Sequence, residues 1–349
     1  MRLPLTVLGC LASALPACAP DSGDEGLAVG VDAGAEDAGE ADTGPPERGV
    51  PPEVPPTSWP PLPPDPSWWD CESLAWPLPE RSSPVPLGCV TDPACEERMV
   101  VGHRGLGGEV VGYMAPENSL AVVRAAIFVG VDAVEVDVRH TADDALVVIH
   151  DSTVDRTLEG TGRVSELTLA ELQAMRFRLE APFIERYHGD YGCERIPTFR
   201  EVLDLARGRV WIDVDVKTDR AEDVALAIRD AGMLDQAFFG SSSLEAVVRA
   251  RAAVPELGLL IRPDAAGDLE AWLDALDRAP TVVEMDDGQL EPVLERIHGL
   301  GAKAFLNGWF GDAEALNRSF GGYERLWAQG ADVLQSDGPL MLLQHLGRL

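Results

Sequence analysis

Histidine, arginine and carboxylate side chains fall within or just behind three hydrophobic runs of the chain. His103 and Arg104 stand in "GHRG", Glu135 and Asp137 in "EVDV", and His150 ends "LVVIH". An imidazole can take and give a proton near neutral pH, because its reference pKa is about 6.5. Two carboxylates spaced by two residues share one face of a strand, where they can bind a cation together. These residues predict acid–base chemistry at a metal site, provided that the fold brings the three runs together.

A further acidic pair adds to the case for a metal. In "WIDVDVK", Asp213 and Asp215 alternate with valines, and Lys217 follows on their face. Carboxylates on a buried strand are unfavourable unless they bind a cation or form a buried salt bridge, and we favour the cation. Two or three carboxylates with open positions suit Ca²⁺ or Mg²⁺ better than Zn²⁺.

Each of these residues also has a purely structural interpretation. A single His at a strand end is commonly a hydrogen-bonded structural residue, and an Asp behind a strand is commonly a turn former or a helix cap. The catalytic interpretation of His103 and His150 therefore depends on the elements that position them.

Those elements alternate between strands and helices from Arg98 onward. The strand candidates are 99–103, 133–138, 146–150, 209–216, 237–241, 257–262, 281–285, 302–306 and 332–336. Amphipathic segments such as "TFREVLDLARG" and "SLEAVVRARAAV" separate most of them. Strands that alternate with helices form a parallel sheet, and about 250 residues of this pattern favour a closed (β/α)8 barrel over an open doubly wound sheet. Such barrels carry their active sites at the C-terminal ends of the strands.

Nine strand candidates are one more than a barrel needs. Only "RHTADDAL" separates "EVDV" from "VVIH", which is too short for a parallel crossover, so we expect an antiparallel hairpin that turns at Asp143 and Asp144. A two-residue turn there predicts three opposed pairs: Val138 with Ile149, Asp137 with His150, and Glu135 with Ser152. His150 would then share a face with both acids, whereas a shift of one residue would move it to the other face.

The overall charge limits the possible partners. The chain of 349 residues holds 59 acidic and 28 basic residues, and its formal net charge is −31. A field of this sign argues against binding to nucleic acid or to anionic membrane surfaces. A phosphate-binding site would need local cations or a metal.

The N-terminus predicts export. "MRLPLTVLGCLASALPACAP" has one Arg before an apolar run, as in a signal peptide, and "LPAC" at Leu15–Cys18 resembles a bacterial lipobox. We expect Cys18 to be lipidated, with plain secretion after cleavage near Ala17 or Ala19 as the alternative. The chain then divides into four parts: 1–18 as signal peptide and lipobox, 19–67 as a disordered acidic Pro-rich linker, 68–97 as a cap segment with Cys and Trp, and 98–349 as the barrel domain.

Four cysteines follow the signal: Cys71, Cys89, Cys95 and Cys193. In an exported protein, this even number predicts two disulfides, and three connectivities are possible. Their spacing fits no Cys–His zinc pattern.

Taken together, the motifs resemble a known family. "HRG", "PENS", "EVDV", "VVIHD", "LTLAEL", "IPTFREVL", "WIDVDVK" and "GADVLQSDGP" occur in the order and spacing of glycerophosphodiester phosphodiesterases, from about Val100 to Leu340. The resemblance implies a phospholipase-C-like (β/α)8 barrel with one divalent cation, Ca²⁺ or Mg²⁺. It also implies hydrolysis of a small-molecule glycerophosphodiester to sn-glycerol 3-phosphate and an alcohol.

The resemblance also implies a role for each site residue. His103 and His150 would be the general acid–base pair. The metal would be held by Glu135, Asp137 and Asp215. Arg104 and Lys217 would bind the phosphate, and Glu117 would lie near the metal and the glycerol hydroxyls. We expect Asn118 to cap the first helix instead.

The chain departs from the family pattern at several positions. Asp215 stands where the family more often has Glu, which is one methylene longer, so the metal must lie closer to that strand, or Asp213 or a water must help. The usual Trp-Thr-x-Asn run is replaced by "AFLNGWF", which keeps Asn307 and offers Trp309 as a substitute for the lost Trp.

Other residues near the predicted site have less specific expectations. Glu284 and Asp286 end the "VVEMD" strand, where we expect solvated rim acids. Tyr113 and Met114 could shape an alcohol pocket or simply cover the barrel mouth.

Two alternative functions stay open at this stage. The chain could be a related phosphodiesterase that acts on lysophospholipids or polymeric glycerophosphate, or a non-catalytic surface barrel that only binds its ligand. The residues do not identify the alcohol group, the metal or the oligomeric state.

Overall fold

Nine strands are present in the computed structural model, which describes residues 65–106, 114–179 and 189–349. They are β1 (Met99–Gly102), β2 (Ala133–His140), β3 (Leu146–Val148), β4 (Trp211–Val216), β5 (Ala237–Ser241), β6 (Gly258–Ile261), β7 (Val282–Met285), β8 (Lys303–Asn307) and β9 (Val333–Ser336). All except β3 are parallel, in the order β1-β9-β8-β7-β6-β5-β4-β2, and pairing of β1 with β2 closes the ring. The expected (β/α)8 barrel is therefore confirmed.

Helices follow the strands. They are α1 (Leu120–Val129), α2 (Leu169–Ala174), α3 (Phe199–Ala206), α4 (Ala221–Asp230), α5 (Leu244–Ala253), α6 (Leu269–Asp274), α7 (Leu294–Gly299), α8 (Trp309–Ala315), α9 (Gly321–Ala328) and α10 (Pro339–His345). Four of them, α1, α2, α3 and α5, begin at a Ser or Thr whose side chain caps the first turn. Short 3-10 helices span Pro66–Trp68, Cys71–Ala75, Leu87–Thr91, Val164–Glu166, Ala266–Asp268 and Glu291–Val293. Thr198 and Glu201 form a capping box on α3, which satisfies backbone donors that the first turn leaves free.

The hairpin between β2 and β3 is present, but its predicted register is wrong by one residue. The observed pairs are Val138 with Val148, Arg139 with Val147, and His140 with Leu146. The turn holds three residues, 142–144, because the Thr141 backbone N–H donates to the Ala145 carbonyl (2.9 Å) and Asp144 adopts a left-handed φ of 63°. Three-residue hairpin loops favour this conformation at their last position.

As a result, the expected partners of Asp137 and Glu135 are also wrong. The Ile149 backbone N–H donates to the Asp137 carbonyl (2.9 Å), and His150 lies beyond the end of β3. The position of His150 is therefore set by side-chain contacts rather than by the sheet.

Apolar side chains fill the barrel at the N-terminal ends of its strands. They point inward at alternate positions and belong to one cluster, with Met99, Val101, Ala133, Trp211, Phe238, Leu260, Val282, Phe305 and Val333 from the strands and Val85, Cys89 and Val90 from the preceding segment. The Trp211 indole N–H donates to the Leu87 carbonyl (2.6 Å), and its ring centroid lies 5.9 Å from that of Phe238. We call this cluster the closed end of the barrel. The C-terminal strand ends form the open end.

Of two disulfides, one closes a short loop within the segment before β1, and the other attaches this segment to the barrel domain. Cys89 pairs with Cys95 beside the closed end, and Cys71 pairs with Cys193, 122 residues away. These pairings select one of the three possible connectivities.

Several expectations concern residues that the structure does not describe. The signal peptide, the lipobox and the linker up to residue 64 lie outside the described residues, as does Tyr113. Met114 is buried, and its carbonyl accepts hydrogen bonds from Tyr191 (2.5 Å) and Trp69 (3.3 Å). Within residues 65–106, 114–179 and 189–349, none of the helices combines the length and apolar character that crossing a bilayer requires.

Candidate active site

Three carboxylates meet at the open end of the barrel. Asp137 on β2 lies beside Asp215 on β4 in the parallel register, and Glu135 precedes Asp137 on the same inward face. Carboxylate oxygens of Glu135, Asp137 and Asp215 all lie within 4.8 Å of one another. The valines between them point outward into the helix layer. The three acids predicted as metal ligands are thus brought together.

The properties of this cluster fit a hard divalent cation. Burial raises the pKa of Glu135 well above its ordinary value, and the negative charge of Asp137 adds to that rise. Among the described residues, no group donates a hydrogen bond to Asp137 Oδ1, although that atom is buried. Carboxylate oxygens that are buried, mutually repelling and open on one side are the donor set that Ca²⁺ and Mg²⁺ accept.

Asp213 lies beneath the cluster, beside Glu135 in the register. Its side chain is fully buried, and neither carboxylate oxygen accepts a hydrogen bond within the described part of the chain. Burial raises the pKa of Asp213 well above its ordinary value. Asp213 is not one of the three clustered acids, so the structure leaves it outside the ligand set.

Two cations face the acids. Lys217 Nζ lies 2.7 Å from Asp215 Oδ2 and 3.5 Å from Asp137 Oδ1. Arg104 Nε lies 3.9 Å from Asp137 Oδ2, and its backbone N–H donates to Glu135 (2.7 Å). Burial alone would raise the pKa of Asp215, but the positive charges of Arg262 and Lys217 lower it below its ordinary value.

A tight turn behind β1 positions Arg104. A Cβ on Gly102 would lie 1.9 Å from the Gly105 carbonyl oxygen, and Gly105 has a φ of 107°. Arg104 itself has a φ of 50°, which is uncommon for a residue with a side chain. The glycines of "GHRG" therefore allow the backbone of Arg104 to turn toward Glu135.

Asn118 is a site residue, and the expectation that it caps α1 is wrong. Ser119 caps that helix by accepting from the Val122 N–H. Asn118 has a φ of 56°, donates from Nδ2 to Asp137 Oδ2 (2.9 Å), and accepts from the Asp137 N–H. It thereby fixes the orientation of one clustered carboxylate.

His103 is oriented by an acid that directly follows the last strand of the barrel. Its Nδ1 lies 2.5 Å from Asp337 Oδ1, and its Nε2 lies 4.0 Å from Glu135 Oε2. Asp337 also accepts from the indole N–H of Trp309, and its own backbone N–H donates to Asp312. The sequence contained Asp337 in its "SDGP" ending, but no local pattern connected it with His103.

His150 belongs to a chain of ion pairs that leads to Arg104. Its Nδ1 lies 2.7 Å from Asp151 Oδ1, Arg156 Nε lies 2.7 Å from Asp151 Oδ2, and Arg156 also binds both oxygens of Glu117. Glu117 in turn meets Arg104 at 3.2 Å. Burial alone would raise the pKa of Asp151, but hydrogen bonds from Arg156 and His150 lower it to about 2. Asp151 is therefore a permanent anion beside His150.

Of the two acids expected to be solvated at the barrel rim, only one is. Asp286 is exposed, as expected, whereas Glu284 is not a solvated rim acid, because it faces inward and pairs with Arg262. Arg262 also contacts Asp215, with 3.1 Å between Nη1 and Oδ1. Asn307 and Trp309 lie at the end of β8 and the start of α8, and the Trp309 ring is 57% exposed.

Comparison with known proteins gives a family match over part of the chain. Residues 103–233 match the model of the glycerophosphoryl diester phosphodiesterase family. The glycerophosphodiester phosphodiesterase of Caldanaerobacter subterraneus subsp. tengcongensis is 38% identical over 121 residues, which are 34% of this chain and 45% of that protein. Human glycerophosphodiester phosphodiesterase 1 is 38% identical over 118 residues, 34% of this chain and 33% of that protein. The chain thus spans less than half the length of these two curated relatives.

Solved structures match over a larger share. A glycerophosphoryl diester phosphodiesterase from Parabacteroides distasonis aligns with a TM-score of 0.62 at 22% identity, over 74% of this chain and 90% of that one. A glycerophosphodiester phosphodiesterase from Agrobacterium tumefaciens aligns with a TM-score of 0.55 at 25% identity, over 71% and 99%. An Oleispira antarctica phosphodiesterase, solved with the product sn-glycerol-3-phosphate, aligns with a TM-score of 0.57 at 24% identity, over 72% and 97%. These structures share the barrel fold, and the resemblance inferred from the motifs is confirmed.

Proposed function

We propose that this barrel, which matches the glycerophosphoryl diester phosphodiesterase family model over residues 103–233, hydrolyses glycerophosphodiesters to sn-glycerol 3-phosphate and an alcohol. The observation that carries the proposal is the meeting of a three-carboxylate cluster, Arg104 and the His103–Asp337 pair at one barrel mouth. The curated relatives named for this activity support the same reaction.

The substrate is an anion, so its phosphate needs positive charge in an acidic protein. Glu135, Asp137 and Asp215 would hold one divalent cation, Ca²⁺ or Mg²⁺. When bound, that cation supplies positive charge to a phosphate oxygen and makes a coordinated hydroxyl more acidic. Arg104 and Lys217 face the same space and would bind the remaining phosphate oxygens, Arg104 with the two-pronged geometry that guanidinium allows.

The two histidines are suited to move the protons. In each, a carboxylate lies beside Nδ1, which leaves Nε2 for the substrate. One imidazole would take the proton of the attacking hydroxyl, and the other would give a proton to the leaving alcohol oxygen. Glu117 is held by Arg104 and Arg156, and its Oε2, which accepts from Arg156, would also accept a hydrogen bond from a glycerol hydroxyl.

One observation favours a second substrate class. Trp309 and Phe310 are 57% and 63% exposed where β8 meets α8 at the open end. An alcohol group with an apolar portion could contact them, so lysophospholipids are the second candidate.

We also propose that the protein is exported and anchored by a lipid on Cys18, with the acidic linker holding the barrel away from the membrane. Two disulfides among the described residues support an oxidising compartment. Fractionation of cells that express the chain tests this, since Cys18→Ala should move the protein out of the membrane fraction. A wild-type protein that is already absent from that fraction would contradict the anchor.

The reaction is tested by measuring sn-glycerol 3-phosphate released by the full chain. Glycerophosphocholine and lysophosphatidylcholine would be supplied with Ca²⁺, with Mg²⁺ or with EDTA. We expect metal-dependent release that His150→Ala lowers by about 10²-fold or more, because general acid–base catalysis contributes that much. His298→Ala, which changes a half-exposed histidine paired with Asp332, is the matched control and should leave the rate unchanged. Release that persists in EDTA, or none from either substrate, would contradict the proposal.

A further inference from the structure

A guanidinium lies inside the barrel beside the acid cluster. Arg262 directly follows β6, and its Nη1 lies 3.1 Å from Asp215 Oδ1 on β4. Its Nε donates to Glu284 Oε2 on β7. The side chains of Arg262, Asp215 and Glu284 are each less than a fifth exposed. One inward-facing ion triad therefore joins three strands of the barrel.

To reach β4 from β6, the Arg262 side chain must cross β5. The residue of β5 at this level is Gly240, which pairs with Asp215 on one side and with Leu260 on the other. A Cβ on Gly240 would lie 3.5 Å from Cζ and Nη1 of Arg262. That distance is an ordinary van der Waals contact, so the guanidinium packs directly against this position of β5. The Arg262 side chain therefore crosses β5 at Gly240 on its way to Asp215.

The contact constrains a carboxylate whose side chain is short. Asp215 stands where the resemblance leads us to expect Glu, and an Asp carboxylate reaches one methylene less far from its strand. Arg262 binds one oxygen of Asp215, and that leaves Oδ2 on the side of Lys217 and the other acids. Glu284 in turn binds Nε of Arg262, so the guanidinium itself has a fixed orientation.

We propose that Arg262, oriented by Glu284, is a positioning residue that holds Asp215 in the ligand set of the cation. The inference rests on the proposed function for the presence of that cation. Two possible roles of Arg262 predict opposite changes in metal affinity. A guanidinium near a metal site repels the metal, so a role in charge balance alone predicts tighter metal binding when Arg262 is removed. A positioning role predicts weaker binding.

Calorimetric titration of the full chain with Ca²⁺ and with Mg²⁺ separates these outcomes. We expect Arg262→Met to raise the dissociation constant by about 10-fold to 100-fold, as loss of a residue that orients a metal ligand commonly does. Arg296→Met removes another Arg–Glu ion pair, on the exposed surface with Glu270, and should leave the constant unchanged. Equal or tighter metal binding by Arg262→Met would overturn the proposal.

Two further variants distinguish a specific loss of metal affinity from a folding defect. Arg262→Met with Glu284→Met removes the pair together and leaves no unpaired charge on Glu284. Its thermal midpoint in EDTA reports the fold, and its metal affinity should remain weakened. Asp215→Glu added to Arg262→Met supplies the missing methylene and should recover most of the affinity. Failure of this recovery would overturn the role assigned to side-chain length.

The same titration distinguishes this inference from the proposed function. If the wild-type chain takes up neither cation, both fail together. If it binds metal and hydrolyses substrate while Arg262→Met binds metal as well as the wild type does, only the role of Arg262 fails.

Discussion

The two ends of the barrel use the same strands and the same inward face for opposite purposes. At the closed end, each parallel strand contributes an apolar side chain, and residues before β1 cover them. At the open end, β1, β2 and β4 contribute His103, Glu135, Asp137 and Asp215. The difference shows that the first inward position of a strand serves closure of the barrel, whereas the later ones are available for chemistry.

The two ends also differ in how well their polar and charged side chains are paired. The indole N–H of Trp211 at the closed end has a carbonyl acceptor, and its ring is surrounded by apolar neighbours. At the open end, burial and like charge raise the pKa of Glu135 and Asp213. Strongly shifted pKa values of this kind are concentrated at functional sites, because buried acids of like charge need a bound ligand or an unusual protonation state. Stability should therefore depend mainly on the closed end and activity on the open end.

The largest expected effect compares two tryptophans. Trp211→Ala should lower the free energy of unfolding by about 3–5 kcal/mol, because it empties the centre of a packed layer and leaves the Leu87 carbonyl without its donor. Trp309→Ala, at the open end, should lower it by less than about 1 kcal/mol, because the ring is more than half exposed. Denaturant titration of both variants measures this difference. Equal losses would remove the distinction between the ends.

A smaller effect should appear in the pH dependence of stability. Burial raises the pKa of Asp312 to about 6, although hydrogen bonds from Ser336 and Tyr323 oppose that rise. A carboxyl whose pKa is raised in the folded state stabilises it fully below the unfolded pKa of about 3.8 and loses that contribution as the pH rises through 6. The free energy of unfolding of the wild type, relative to that of Asp312→Asn, should therefore fall by about 3 kcal/mol in total between about pH 3 and about pH 7.

Denaturant titrations of both proteins at several pH values test this slope. The Asn side chain cannot accept from the Asp337 N–H through its amide nitrogen, so a constant offset between the curves is expected and does not affect the comparison. Asp286→Asn changes an exposed acid at the rim and serves as the control. Parallel curves for the wild type and Asp312→Asn would show that Asp312 does not titrate in this range.

The smallest expected effect concerns the acid that orients His103. Asp337→Asn should lower kcat by roughly 10²-fold, about 2.7 kcal/mol, because the carboxylate that fixes the imidazole is lost. KM should change much less, since Asp337 contacts His103 and Trp309 rather than the cluster of acids. Steady-state kinetics on glycerophosphocholine measures both constants. A rise in KM with an unchanged kcat would assign Asp337 to substrate binding instead.

The sequence was sufficient for the features that depend on short-range pattern. Alternation of valines with Glu135 and Asp137 placed both acids on the inward face, and the repeated strand–helix order predicted the barrel. It was insufficient where one residue of turn length decides the outcome. A three-residue loop at 142–144 replaced the expected two-residue turn, and that alone changed the register of the hairpin.

The sequence also did not predict contacts between residues that lie far apart in the chain. The contact between His103 and Asp337 joins residues 234 positions apart, and Arg262 reaches Asp215 across the intervening strand β5. Neither pair has a local signature. Asn118 stood beside a better cap, Ser119, and only its left-handed φ and its contacts with Asp137 reveal its place in the site.

The disulfide between Cys71 and Cys193 closes a covalent ring around the segment that supplies most of the site. His103, Arg104, Glu117, Glu135, Asp137 and His150 all lie between its two cysteines. A single peptide-bond cleavage anywhere from 72 to 192 therefore yields two pieces that stay linked, whereas a second cleavage in that interval can release a fragment. Under the export proposed above, the first cut by a protease in that interval would leave both pieces covalently tethered.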